Sequence, residues 1–250
     1  MNHILITGAS SGIGAALAIH YAANGIHLYL SARNSDRLDA VAQTCRAQGA
    51  IVETKTLDVM DRRAMTDWIC RLDDATPLDL AIANAGISSG SNTDADWEET
   101  TRDIFAVNLA GVLNTILPLI PRMIKRKRGQ IALMSSLAGF RGLSSAPAYS
   151  ASKVAVKAYG EALRLRYGPQ GLKVSVICPG FVKSRITAQN DFTMPFLMEA
   201  PKAATLIAKG LRKNKALITF PFPLSFPTRL FAALPLWILE RISRFLPSKE

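Results

Sequence analysis

The sequence predicts an α/β fold: a doubly wound parallel sheet with helices on both faces, in a single domain. Three observations carry that expectation. Short apolar runs at 4–7, 26–31, 51–56, 78–83, 130–134 and 173–177 alternate with helix-length stretches such as 13–24, 37–48 and 62–72, the order of βαβ units. The runs are continuously apolar, as strands buried on both faces must be. The chain of 250 residues is 49% hydrophobic and 20% charged, long enough to bury a full core and too apolar for disorder.

The first run ends in Thr7-Gly8 and leads through Ser10, Ser11, Gly12, Ile13 and Gly14 into an alanine-rich helix. Glycines here permit a tight turn and close approach of a pyrophosphate to the N–H groups of a helix N-terminus. The same stretch spells Gly8-x-Ser10-x-Gly12, formally a nucleophile elbow. A hydrolase of that kind needs an acid and then a histidine after the serine. The histidines are His3, His20 and His27, and no Asp or Glu lies between Ser10 and His27, so that reading is excluded.

Asp58 and Val59 follow the third run, Asn84, Ala85 and Gly86 the fourth, Ser135 and Ser136 the fifth, and Pro179 and Gly180 the sixth. Tyr149 and Lys153 are four apart at the start of a helical stretch, so their side chains share a face and can converge on one substrate atom. A phenol titrates near about 10 and needs a cationic neighbour to work as acid and base near neutrality.

In order and spacing over residues 1–187, these motifs resemble the classical short-chain dehydrogenases/reductases: a TGxxxGxG loop, Asn84-Ala85-Gly86, Asn108 in the following helix, Ser136, Tyr149-x-x-x-Lys153 and Pro179-Gly180. The extended branch of that family, with its GxxGxxG loop, fits less well. The resemblance implies a Rossmann-type sheet and an oxidoreductase that passes hydride between a nicotinamide dinucleotide and a carbonyl or alcohol. It implies that Tyr149 gives its proton to the carbonyl oxygen, that Ser136 holds the same oxygen, and that Lys153 lowers the phenol's pKa and binds the nicotinamide ribose. Asn108 would position a water in a relay to Lys153. Ser135 is an adjacent rival to Ser136, and the family's interval to the tyrosine favours Ser136. Cofactor contacts are implied from the glycine loop (Gly8, Ser10, Ser11, Gly12, Ile13, Gly14), from Asp58 and Val59 on adenine, and from Asn84, Ala85 and Gly86. Further contacts are implied from Tyr149, Lys153, Pro179 and Gly180, and from Ser184 on the carboxamide.

The second run closes Ser31-Ala32-Arg33-Asn34 without a carboxylate. NAD enzymes commonly have an acid there for the ribose hydroxyls, whereas an arginine accommodates a 2′-phosphate. NADP(H) is therefore expected over NAD(H), with Arg33 on the phosphate.

From about Ser184 the alternation gives way to a Met-, Phe- and Pro-rich stretch, read as a substrate lid and apolar, basic C-terminal appendage (184–250) of the one domain (1–250). Phe192, Met194, Phe196, Leu197 and Met198 suit an adaptable lid, and Phe140, Leu143 and Ser144 another wall. With no arginine clamp among them, the expected substrate is a lipophilic ketone or aldehyde; packing of the core or a dimer contact is the competing use of these residues. The runner-up activity is reduction of a carrier-linked 3-oxoacyl thioester, and a reading from another class is an NADP(H)-sensing binding module. A homo-oligomer is expected by analogy with relatives.

Lys plus Arg number 30 against 19 acidic residues, for a net charge of +11, and nine basic residues against two acidic ones fall beyond position 199. The segment 216–239 carries one charge, Arg229, yet Pro221, Pro223, Pro227 and Pro235 interrupt it, which excludes a spanning helix. Beyond Pro235, Leu236, Trp237, Ile238, Ile242 and Phe245 are interspersed with Arg241 and Arg244, as in an interfacial helix. Together with Lys209, Arg212, Lys213 and Lys215 this suggests attachment to an anionic membrane surface. A flap over the site and a subunit interface are the equal alternatives. The run Lys125, Arg126, Lys127, Arg128 lacks interleaved aromatics and ends a helical stretch, where cations complement the helix dipole, so nucleic acid is not an expected partner. Cys45, Cys70 and Cys178 form no CxxC pair, arguing against a disulfide framework or metal site and for a reducing compartment. With no room for a leader before the first strand, the expected location is cytoplasmic, with peripheral membrane attachment through the tail.

Overall fold

Ile4 and Ile6 face one hydrophobic core while Leu5, between them, faces another. That division follows from the two-residue period of a strand with both faces covered. The computed structural model describes residues 1–88, 97–189 and 192–243. Its first half alternates β1 (His3–Thr7), α1 (Gly12–Tyr21), β2 (His27–Ala32), α2 (Ser35–Ala47), β3 (Ile51–Thr56), α3 (Arg62–Ala75) and β4 (Leu80–Ala83). A helical layer follows, made of α4 (Trp97–Phe105), a π-helical turn (Ala106–Ala110), α5 (Gly111–Ile116) and α6 (Ile120–Lys125). Then come β5 (Gln130–Met134), a 3₁₀ turn (Leu137–Phe140), α7 (Pro147–Tyr167), β6 (Lys173–Pro179), α8 (Ala200–Arg212), β7 (Leu217–Phe220), α9 (Phe222–Ala233) and α10 (Leu236–Ser243).

The seven strands lie in the order β3-β2-β1-β4-β5-β6-β7 and all pair in parallel. The order reverses between β1 and β4, and ligands of such sheets bind at the carboxyl ends of the strands beside that reversal. The run Trp97–Lys125 is long and apolar enough to cross a membrane, but it packs against α3, α7 and β4 as a layer of the second core.

The strand pattern read from the sequence stops at β6, whereas the sheet continues. Residues 200–220 supply α8, which packs on α1, and β7, the edge strand beside β6. These residues are part of the doubly wound body; only the excursion near 184–198 and the helices after β7 leave it. The fold also separates the C-terminal cations from the apolar tail with which the sequence reading grouped them. Lys209 and Arg212 border a cleft of about 800 Å³ with Gln130 and Lys173, the first residues of β5 and β6, and Lys213 and Lys215 precede β7. All four are at the amino edge of the sheet, while α9 begins at its carboxyl edge. Arg244 and Phe245 lie outside the described residues.

The basic run after α6 is partly structural. The Arg126 guanidinium donates two hydrogen bonds, at 2.7 and 2.9 Å, to the carboxylate of Asp73, whose side chain is 2% exposed and also accepts from Leu78 N at 2.9 Å. This pair fixes the turn into β4. Arg126→Ala leaves the buried carboxylate with only the Leu78 N–H and the Arg122 guanidinium, 3.6 Å away, and is expected to lower unfolding free energy by about 3 kcal/mol, read from the midpoint of chemical denaturation.

Candidate active site

Asn84 holds the glycine loop closed. Its Nδ2 donates to the carbonyls of Thr7 at 2.9 Å and Gly8 at 3.2 Å, while Thr7 Oγ1 accepts from the backbone N–H groups of Asn84 and Ala85 at 3.1 and 3.2 Å. The loop thereby lies against the end of β4, and its glycines are required there. Gly8 has φ +67°, and a Cβ on it would fall 2.8 Å from Ala85 Cα; one on Gly14 would meet the Gly8 carbonyl and Asn84 Nδ2. The N-terminus of α1 has no side-chain cap from Ser11 and no acid in its first turn, leaving N–H groups directed at the cleft.

That cleft, of about 640 Å³, is bordered by Gly8, Ser10, Ser11, Gly12 and Ile13, by Arg33, Asp58 and Val59, and by Asn84, Ala85 and Gly86. Tyr149, Lys153, Pro179 and Ser184 close the other side. Gly14 and Gly180 support it from behind: Gly180 N donates to Phe220 O at 2.8 Å. The segment after Pro179 crosses the glycine loop, since a Cβ on Gly12 would lie 2.9 Å from Ser184 Cβ. This excursion is pinched at its base, where Val182 and Met198 pair as a bridge and Lys183 N and Met198 N bond to Met198 O and Phe181 O at 2.9 and 3.0 Å. Phe192 sits edge-on to Phe181, while Phe196 and Leu197 are exposed. Residues 190 and 191 lie outside the described residues.

At the other end of the cleft, Arg33 is 3.9 Å from Asp58, with its side chain 64% exposed. So open and long a pair is worth little and leaves the guanidinium free to bind something else. Asp58 Oδ1 accepts from Met60 N at 2.9 Å, fixing the turn after β3.

The two serines after β5 have different duties. Ser135 Oγ is buried and donates to the carbonyl of Lys153 at 2.8 Å, tying β5 to α7. Ser136 Oγ accepts from Ala138 N at 3.1 Å and lies 3.5 Å from Pro179 O, and it is a hydrogen-bond partner of the Tyr149 phenol. Ser136 is thus the serine that faces the tyrosine. Lys153 Nζ is buried, donates to Met134 O at 3.0 Å and sits 5.6 Å from the centre of the Tyr149 ring. Burial pushes the Lys153 ammonium down to about 8. It also raises the Tyr149 phenol above its usual range, against a smaller lowering by the Ser136 hydroxyl. The direction at Tyr149 is opposite to that expected from a cationic neighbour, because loss of hydration is the largest influence on the buried phenol.

Asn108 is fully buried in the π-helical turn. Its carboxamide pairs with the backbone of Ile87, accepting from N at 2.8 Å and donating to O at 2.9 Å, and Nδ2 also lies 3.1 Å from Ser152 Oγ. Ser152 Oγ in turn donates to Tyr149 O at 2.7 Å. A Cβ on Gly86 would meet both Asn108 Oδ1 and Lys153 Nζ, at 3.0 and 3.3 Å, so both polar groups border the same small space.

The family model for short chain dehydrogenases matches residues 2–194. The chain belongs to that family. A Myxococcus xanthus protein described as an uncharacterized oxidoreductase is 41% identical over 243 residues, covering 97% of this chain and 96% of that protein. A putative ketoacyl reductase of monensin polyketide synthesis from Streptomyces virginiae is 34% identical over 183 residues, covering 72% of this chain and 70% of that protein. Among solved structures, a short-chain dehydrogenase from Sphingobium yanoikuyae, in complex with NADPH, superposes with a TM-score of 0.83 at 24% identity over 100% of this chain and 98% of that one. The chain is therefore an oxidoreductase of the short-chain dehydrogenase family, and the family uses a nicotinamide dinucleotide.

Some residues at this dehydrogenase's cleft were not singled out from the sequence. Asn34 and Arg37 border it beside Arg33 and Asp58; Asn34 Oδ1 caps α2 by accepting from Arg37 N at 2.9 Å. The signal was there to read: an Asn-x-x-Arg start to a helix places a second cation one turn from Arg33. Arg185 and Thr187 also border the cleft, and Thr187 Oγ1 donates to the carbonyls of Val182 and Ser184, both at 3.0 Å. Because Ser135 braces α7 while Ser136 is hydrogen-bonded to the Tyr149 phenol, their alanine variants should diverge. Ser136→Ala is expected to lower kcat by about 100-fold or more at an unchanged melting midpoint. Ser135→Ala should lower the melting midpoint, as measured by thermal denaturation.

Proposed function

We propose that this protein is an NADPH-dependent carbonyl reductase, reversibly an alcohol dehydrogenase, acting on a lipophilic ketone or aldehyde. The observation that carries the chemistry is that the Tyr149 phenol and the Lys153 ammonium border the cleft that the glycine loop also borders, with the Ser136 hydroxyl hydrogen-bonded to the phenol. The residues fit a dinucleotide: an uncapped helix N-terminus without acids meets a loop with no side chain at Gly8 or Gly14. The glycine loop would hold its pyrophosphate, Asp58 and Val59 its adenine end, and Lys153 its nicotinamide ribose. Bound there in reduced form, that cofactor supplies the hydride for the carbonyl carbon.

The protein's own groups handle the oxygen. Ser136 donates a hydrogen bond that strengthens as negative charge develops on it. Tyr149 transfers its proton to the same oxygen, so the alcohol leaves neutral and the phenolate remains beside Lys153. Burial keeps the phenol protonated before the reaction, the state a general acid requires, and the buried ammonium then stabilises the phenolate. Asn108 and Ser152 act as positioning residues, tying Tyr149 to the end of β4 through its carbonyl.

Support for NADP(H) over NAD(H) comes from the end of β2. Ala32 stands where a ribose-binding carboxylate would, and Arg33 and Arg37 both border the cleft at that end. Two guanidinium groups suit a 2′-phosphate. Support for a lipophilic substrate comes from the excursion after Pro179, whose exposed side chains include Ile186, Phe192, Phe196 and Leu197. A second reading, reduction of a 3-oxoacyl thioester, draws on the likeness to the ketoacyl reductase.

An NADPH-oxidation assay over ketones graded by chain length, with carrier-linked 3-oxoacyl thioesters alongside, tests the proposal. Turnover should rise with apolar length among free ketones; turnover of the thioesters alone selects the second reading. Tyr149→Phe should abolish turnover while fluorescence titration still detects NADPH binding. The double variant Arg33→Ala with Arg37→Ala is expected to weaken NADPH by about tenfold or more, each guanidinium to phosphate bond being worth about 1.5 kcal/mol. NADH binding should change less than threefold, and equal losses for both would remove the phosphate role.

A further inference from the structure

The helix α9 seats Leu224 on the second core, with Ser225, 5% exposed, and the partly buried Thr228 on the same side, and turns Phe222, Phe226, Leu230 and Phe231 outward, 78, 65, 63 and 46% exposed. A helix on an aqueous surface carries polar residues on its outward face. The apolar face continues into α10, where Leu236 and Trp237 are 63 and 59% exposed. A contiguous apolar patch of this kind marks a surface that something covers.

We infer that the outward face of α9 and α10 docks on a phospholipid bilayer, seating the mouth of the cleft at the membrane surface. The C-terminal end of α9 is tied to the body of the protein, where the Arg141 guanidinium donates to Ala232 O at 3.0 Å and Leu234 O at 2.5 Å. Two observations favour lipid over a second copy of the chain. The first is charge: residues 200–239 contain no acid, and the sequence of α9 and α10 has Arg229 and Arg241 against Glu240, a balance that favours anionic headgroups. The second is the Arg241 guanidinium, 5.9 Å from the centre of the Trp237 ring, an aromatic and cation pair of the kind that settles at headgroup level.

The docked face adjoins the substrate side of the cleft. α9 packs on the 3₁₀ turn that Ser136 begins, and it leaves β7 where Gly180 N bonds to Phe220 O, the point from which the excursion over the cleft also departs. That a substrate passes directly from bilayer to cleft rests on the lipophilic-carbonyl reading above; the docking does not. The cations of the amino edge, at the far end of the sheet, take no part.

Co-sedimentation of the full chain with phosphatidylcholine vesicles, with and without phosphatidylglycerol, is the test. The protein should bind, more tightly with phosphatidylglycerol present. Phe226→Glu with Leu230→Glu should weaken vesicle binding by about tenfold or more, with turnover of a water-soluble ketone and the melting midpoint unchanged. Should that pair fail to fold, Trp237 emission decides: it should shift to the blue on vesicles, and the shift should vanish in Trp237→Phe. A protein that ignores both vesicles, or a dimer that the charged pair splits to monomers while neither form binds lipid, overturns the inference in favour of a second copy. Vesicle binding without ketone turnover leaves the docking intact and removes the substrate reading; turnover without vesicle binding does the reverse.

Discussion

The ammonium of Lys153, removed from water and held on the carbonyl of Met134 at 3.0 Å, is the constraint around which the catalytic side of the cleft is built. Two bonds fasten α7 to the end of β5, this one and that from Ser135 Oγ to the Lys153 carbonyl. Because Tyr149 precedes Lys153 by one helical turn, fastening the lysine also sets where the phenol lies. The burial that makes this arrangement rigid acts on the titration of both groups. It lowers the ammonium and raises the phenol, so the phenol rests protonated beside the lysine.

The other side of the cleft depends on a topological reversal. With β2 and β4 flanking β1, helices leave the sheet in opposite directions and a crevice opens above the strand ends. Asn84 spans that crevice from β4 to the glycine loop, and its two bonds to Thr7 and Gly8 are the reason that a loop with so little side-chain packing keeps a defined shape. Hydrogen bonding does there what apolar contact does in the two cores, because the crevice must stay open to a ligand.

The molecule is polarised along its strands. Its amino edge gathers cations around the starts of β5, β6 and β7, and its carboxyl edge gathers exposed aromatic and leucine side chains on α9, α10 and the excursion over the cleft. Net charge and apolar content in the last fifth of the chain are adjacent in sequence and distant in space, because α8 and β7 carry the chain down and back across the full height of the sheet. A basic, apolar tail read as one amphipathic unit is thereby resolved into two surfaces with different physics.

The order of strands and helices, the glycine loop and the Tyr149 and Lys153 pair were legible in the sequence, because each rests on periodicity or spacing within one element. The seventh strand was not. β7 is four residues long at an edge, too short to register as an apolar run among prolines and phenylalanines. Arg37 was passed over because a cation in the first turn of a helix is ordinarily solvent-facing, and only the approach of α2 to the end of β3 turns it toward the cleft. The choice between Ser135 and Ser136 rested on a family interval until the contact with α7, 18 residues further on, separated the bracing hydroxyl from the facing one. By itself the sequence determined the chemistry available and the elements that carry it, since residue type and period are local properties. Which side of α9 meets the protein, which way the Tyr149 phenol shifts, and which cations lie near the tail were decided by tertiary structure, because burial and contact between distant segments do not exist until the chain has closed on itself.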